Sequence, residues 1–206
     1  MKKRFGFLLF EQFEDLDFMG PWELIALWSQ KHQGPQALII VTESGAPVTS
    51  TKGLSIQANA SFKNCPPLDY LLVPGGQGTR TEVDNKMMID FIKVQAASCE
   101  QVLSVCTGAF LLQAAGLLAG KKATTHWASL ERLKAFSELD VIEERFIQQE
   151  KLWISAGVSA GMDMALAFIA EIAGEKVAGD VQLFAEYYPE TRVYPNSEGY
   201  LPGYVD

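Results

Sequence analysis

Strands alternating with helices along the chain predict an α/β fold built on a mostly parallel sheet covered on both faces. Three observations carry this expectation. Short apolar runs recur, as in strands buried on both sides: FGFLLF, ALIIVT, DYLLV and QVLSV. The stretches between them place apolar residues at helical spacing. No internal repeat, low-complexity tract or linker divides the 206 residues, so one compact domain is expected.

FGFLLF (5–10) reads as the first buried strand. GPWELIALWSQ follows with Trp22, Ile25, Leu27 and Trp28 at roughly helical spacing and Pro21 at the helix start. ALIIVT (37–42) is the second strand, and ESGAPVTSTKGLSI is turn and hairpin material. DYLLVPGG is a third strand ending in a glycine loop. KMMIDFIKVQAA (86–97) sets Met88, Ile92 and Ala96 at i, i+4 and i+8, an amphipathic helix. QVLSV (101–105) is the next strand and TGAFLLQAAGLL (107–118) the helix after it. HWASLERLKAF is a further helix, and RFIQQEKLWISAG is a strand hairpin. SAGMDMALAFIAEIAG (159–174) is apolar almost all round, which predicts a largely buried helix. The last 20 residues hold five of the six tyrosines and three prolines, composition for an arm laid over the body or a partner, or for a partly mobile tail.

Composition narrows the chemistry. A formal charge of -8, from 17 basic and 25 acidic residues, argues against nucleic acid and anionic membranes as main partners. With 48% hydrophobic residues, a chain of this length buries about 70% of its unfolded surface and needs no disulfide or metal staple. The three cysteines, Cys65, Cys99 and Cys106, have no C-x-x-C spacing, and two histidines leave little for a metal site. Free thiols suit a reducing cytoplasm. The apolar run after MKKR stops at Glu11 and is too short for a signal-peptide core. Gln101–Gly120 carries no formal charge, but its character changes midway from strand to turn to helix, so no membrane span is expected.

In open α/β sheets chemistry gathers beyond the carboxyl ends of the strands. Cys106, in S-V-C-T-G between a strand and a helix, has the layout of a nucleophile elbow, with Ser104 and Gly108 at the positions where crowding demands small side chains. Backbone N–H groups at the helix start would lower its thiol pKa; the alternative is a buried structural cysteine. V-P-G-G-Q-G-T lacks the Lys-Ser or Lys-Thr of a phosphate loop. Its Gly75 and Gly76 bring bare backbone close to a ligand, and the N–H of Gly76 with that of Thr107 could form an oxyanion-type pocket; a plain turn is the other reading. Asp17, past the first strand and before a helix, could donate a proton beside a thiolate, or be a solvated loop acid or helix cap. His126 could complete a Cys–His arrangement or be structural. Cys65 and Cys99 read as structural and His32 as solvated. Trp22, Met19 and Val158 are candidate pocket walls.

The segments GFLLFEQFEDLDFMGPWE, CPPLDYLLVPGGQG, VLSVCTGAFLLQAAGLLAGKKATTHW and SAGVSAGMDMAL, in this order over residues 5–170, resemble the ThiJ/PfpI superfamily and within it the isonitrile (isocyanide) hydratases. The resemblance implies a flavodoxin-like three-layer sandwich, with residues 1–186 as one class I glutamine amidotransferase-like domain and 187–206 as an extension. It also implies a homodimer acting on a small molecule. The departures are informative. Thr107 stands where protease and amidase members carry His after the cysteine, no distant His-Pro-Glu is present, and Asp17 stands where deglycase-like members carry Glu. The basic helix-turn-helix domain of AraC-type regulators is not in this sequence. What the resemblance implies is isonitrile hydration without metal or organic cofactor. Cys106 would attack, Asp17 would move protons, and Thr107 with Gly76 would steady polar intermediates. A cysteine hydrolase using Cys106 and His126, and a metabolite or redox sensor without turnover, are the competing readings.

Overall fold

The computed structural model describes residues 2–189 and 203–204. Most of the 187–206 extension therefore lies outside the described residues. We number the strands of the central sheet β1 (Arg4–Leu8), β2 (Ala37–Thr42), β3 (Ala60–Ser61), β4 (Tyr70–Val73), β5 (Gln101–Val105), β6 (Phe146–Gln149) and β7 (Leu152–Ser155). The order across the sheet is β6-β7-β5-β4-β1-β2-β3, parallel throughout except for the β6–β7 hairpin at one edge. β2 and β5 have the bounds read from their apolar runs. β4 and β5 are buried on both faces apart from Gln101 at the end, which is why the runs are continuous and not alternating.

Helices α1 (Asp15–His32), α4 (Ala160–Ala173) and α5 (Glu175–Phe184) cover one face. The other carries α2 (Lys86–Ser98), α3 (Gly108–Ala114) and a short helical turn, Thr79–Glu82. This is the three-layer arrangement expected. On the α1–α4 side the ring of Phe168 meets Phe5, Trp28, Tyr70 and Trp153 edge-on at centroid distances of 5.3–6.0 Å, and this aromatic cluster fixes α4 to the sheet. α2 follows its periodicity. Met88, Ile92 and Ala96 are buried, and Asn85 caps the start by accepting from the amides of Met87 and Met88.

Several expectations change. α1 starts at Asp15, and Pro21 lies inside it instead of opening it. The helix begins early because its first turn is tied down from outside. Glu14 N–H donates to the Gly75 carbonyl at 2.8 Å, and the Asp15 carboxylate accepts from the Ser50 and Thr51 hydroxyls of the 48–56 hairpin. Pro21 lacks only the N–H that would have met the Asp17 carbonyl. α3 stops at Ala114, short of the expected 118. Gly116 turns left-handed (φ +72°), and Leu117 N–H returns to the Leu112 carbonyl, closing the helix in a Schellman motif. α4 is buried along one face only, with Glu171 and Ile172 exposed at its end. His32 is half-buried at the contact with α5, its Nε2 3.5 Å from Asp180. The uncharged 101–120 stretch divides into β5, a turn and α3. Among the described residues no helix is long and apolar enough to cross a membrane.

Candidate active site

The elbow forms where β5 ends. Cys106 has φ +58°, a left-handed backbone that a side chain adopts only when its surroundings impose it. Here they do. Cys106 N–H donates to the carbonyls of Ser155 and Ala156 at 3.2 and 3.0 Å, and its own carbonyl accepts the Thr125 hydroxyl at 2.8 Å. The chain then turns sharply into α3 past Gly108, where a Cβ would lie 2.3 Å from the Val73 carbonyl. The thiol is left at the carboxyl edge of the sheet, 7% exposed.

Asp17 comes to it from the first turn of α1. It is neither a loop acid nor a solvated cap, since it is wholly buried. Oδ2 accepts Gly75 N–H at 2.9 Å and Oδ1 accepts Val158 N–H at 3.1 Å. The carboxyl also lies beside the Cys106 thiol, close enough for each group to shift the other's proton affinity. Burial, helped by the charge of Glu14, pushes Asp17 up to about 8 against the pull of these hydrogen bonds. The thiol moves up as well, first by burial and then by the Asp17 charge, and this corrects the expectation of a lowered thiol pKa. The N–H and hydroxyl of Thr107 do favour the thiolate, but they are outweighed. The two groups titrate as a unit in which a first negative charge is shared and opposes a second.

The glycine loop has a different role from the one expected. Gly75 N–H is taken by Asp17, and Gly76 N–H donates to Thr107 Oγ1 at 2.9 Å, so neither is aimed at an open oxyanion position. Thr79, fully buried, donates its hydroxyl to Thr107 Oγ1 (3.1 Å) or to the Gly76 carbonyl (2.8 Å). With donors arriving on its oxygen, the Thr107 hydroxyl keeps its own proton for the sulfur or for the Gly76 carbonyl. Gly76 thus acts through Thr107. Gly75 must be glycine for closeness, since a Cβ there would lie 2.5 Å from Thr107 N and 2.8 Å from Asp17 Oδ2. Gly75→Ala is expected to cost about 1–3 kcal/mol of stability and to slow alkylation of Cys106. Gly179→Ala, with open space in α5, is expected to leave the thiol unchanged and to gain up to about 1 kcal/mol. Thermal unfolding and iodoacetamide kinetics check both.

His126 lies half-buried on the cleft wall with its ring against Gly157. Its Nδ1 accepts Ala128 N–H at 3.3 Å, which leaves the ring proton on Nε2, and burial lowers its pKa so the ring stays neutral. That is a poor base for Cys106, whose interacting neighbours are Asp17 and Thr107. A cleft of about 220 Å³ opens on the sulfur, lined by Cys106, Thr107, His126, Val158, Gly76 and Arg80. A larger cavity of about 570 Å³ lies beyond Arg80, between Phe110 and Phe136, and does not reach the thiol. Of the proposed pocket walls only Val158 lines the cleft. Trp22 packs on Phe7 and Phe18, and Met19 is exposed. Cys65 and Cys99 sit away from the site, with thiols pushed by burial up to about 11 and about 12. Sequence reasoning missed Thr79 and the Val158 amide. A threonine directly after the glycine loop was the available signal for the first, whereas a backbone N–H leaves none.

An α/β sandwich with a left-handed cysteine at the strand-to-helix elbow and a buried acid beside it defines a class, and residues 3–171 match the profile of the DJ-1/PfpI family. The chain belongs to the DJ-1/PfpI (ThiJ/PfpI) family. It is 40% identical to the isonitrile hydratase of Pseudomonas putida over 191 residues, 92% of this chain and 80% of that one. It is 30% identical over 138 residues to the HTH-type transcriptional regulator GbdR of Pseudomonas aeruginosa, spanning 66% of this chain and 37% of the regulator. Among solved structures, a ThiJ/PfpI family protein from Pseudomonas syringae superposes with a TM-score of 0.85 at 32% identity, covering 97% of this chain and 80% of that one.

Proposed function

We propose that the protein hydrates isonitriles to N-substituted formamides by way of a thioimidate on Cys106. The observation that carries this reading is the pairing of a wholly buried Asp17 carboxyl with the Cys106 thiol in a cleft whose histidine has its Nδ1 taken up by the Ala128 N–H. The 40% identity to an isonitrile hydratase supports the same substrate class. In the reactive form of the pair the proton sits on Asp17 and the charge on sulfur. The thiolate attacks the terminal carbon of R–N≡C while Asp17 gives its proton to that carbon, leaving R–N=CH–S–Cys106 and a carboxylate. Water adds across the C=N bond, its hydroxyl to carbon and its proton to nitrogen. Asp17 then takes the hydroxyl proton as the C–S bond breaks, releasing R–NH–CHO and restoring thiolate and acid. Thr107 steadies the sulfur charge at both ends of the cycle.

Acyl hydrolysis by a Cys–His pair fits less well, because His126 Nδ1 is occupied and the ring is held neutral. Sensing without turnover draws support from the similarity to GbdR. Incubation with an aryl isonitrile, with ester and amide analogues in parallel, separates the three. Formamide from the isonitrile alone is the expected result. Hydrolysis of the esters or amides alone would replace the proposal with the hydrolase reading, and saturable binding without any product would replace it with the sensor.

A further inference from the structure

The Val158 amide that holds Asp17 sits in a turn which would not keep its shape unaided. Val158 is β-branched yet has φ +52°, and such a backbone persists only where its surroundings over-determine it. The same turn supplies the Ala156 carbonyl that holds Cys106 N–H. Arg145 grips this turn from both ends. Its backbone carbonyl accepts Ala156 N–H at 3.0 Å, its Nη2 donates to Ser159 Oγ at 3.2 Å, and its Nε pairs with Asp163 Oδ2 at 2.5 Å in the first turn of α4. Asp163 is held in turn by the Tyr187 hydroxyl at 2.9 Å, and the ring of Tyr204 lies 6.0 Å from the guanidinium. The unbroken series runs from the C-terminal segment through Asp163, Arg145 and Ser159 to the Val158 N–H on Asp17.

We propose that Arg145, braced by Asp163 and Tyr187, is a positioning residue that holds the 156–159 turn so that the Val158 N–H stays on the Asp17 carboxyl. It touches neither thiol nor cleft, and it acts only through that turn. This assigns the start of the C-terminal extension a part in the reaction. The proposal rests on the hydration reading only for its turnover readout, because the thiol can be followed without any isonitrile. The titratable groups around Asp17 are Glu14 at the cap of its helix, Lys52 of the 48–56 hairpin and Cys106 on the elbow, with His126 across the cleft. Around Arg145 they are Asp163, Tyr187 and Tyr204.

The test is the pH profile of Cys106 alkylation by iodoacetamide, with kcat and KM for an aryl isonitrile, in wild type, Arg145→Ala, Arg145→Lys and Tyr187→Phe. Losing one hydrogen bond to a charged group moves the alkylation midpoint of Arg145→Ala up by about one pH unit and lowers kcat about tenfold, with KM within about twofold. Arg145→Lys restores part of both, and Tyr187→Phe moves them the same way by less. A folded Arg145→Ala with the wild-type profile and kcat overturns the proposal. If Arg145→Ala does not fold, unchanged profiles in the other two variants overturn it. A shifted midpoint in a protein that hydrates no isonitrile removes the hydration reading and leaves the positioning role standing.

Discussion

Cys106→Ala is expected to abolish formamide production, to the level of buffer alone, while the protein still folds. The expected loss is total because in the proposed reaction the thiol is the nucleophile and no second thiol can replace it. Cys65 and Cys99 are in other parts of the fold, and burial holds their thiols far from ionisation. The fold survives because the elbow is held by its backbone. The Cys106 amide is anchored on Ser155 and Ala156 and its carbonyl on Thr125, and none of these contacts uses the sulfur. Alanine at φ +58° is no more strained than cysteine. Thermal unfolding within a few degrees of wild type, together with turnover at background, is the expected pair of results.

Asp17→Asn is expected to lower kcat by about 10²–10⁴, the range that one positioned proton donor supplies. The amide oxygen can still accept one of the two backbone donors, but it can neither give a proton to the isonitrile carbon nor take one from the tetrahedral adduct. The pH behaviour changes with it. In wild type the pair acquires its first negative charge as pH rises through about 8. Turnover and Cys106 alkylation should both climb through that region. In Asp17→Asn the sulfur must ionise alone in a buried site, so the alkylation midpoint moves to higher pH. Stability carries the same signature with a definite sign. Native Asp17 keeps its proton to about pH 8, whereas an ordinary carboxyl releases it near 3.8. Its contribution is therefore whole below pH 3.8 and lost as pH climbs to about 8. The melting temperature of wild type should fall over this window by more than that of Asp17→Asn.

What could be read from the chain alone follows from which physics is local. β4 and β5 were legible because a strand buried on both faces reads as a nearly continuous apolar run. α2 was legible because the Met88, Ile92, Ala96 stripe recurs at helical spacing within a short stretch of chain. The start of α1 was hidden because a proline usually opens a helix, and here contacts with Ser50, Thr51 and Gly75, far along the chain, start the helix at Asp15 and not at Pro21. That displacement is also why Asp17 reads as a loop residue and turns out wholly buried. At the site, the elbow at Cys106 and the closeness of the Gly75 loop were visible as motifs. The direction of the Gly76 amide was not, because it depends on a hydroxyl 31 positions away. The thiol's proton affinity was misjudged for a related reason. A helix start nearby lowers a thiol pKa, but no local pattern reports how deeply the thiol and its acid are buried together.

The central claim is a covalent bond between the isonitrile carbon and the Cys106 sulfur, and it can be weighed directly. The protein is mixed with an aryl isonitrile, quenched in acid within the turnover time, digested and examined by mass spectrometry. The account predicts that the peptide carrying Cys106 gains the full mass of the isonitrile, that the gain disappears as substrate is exhausted, and that Cys65 and Cys99 stay unmodified. Formamide produced at the wild-type rate by Cys106→Ala, with no adduct at any time in wild type, would contradict it.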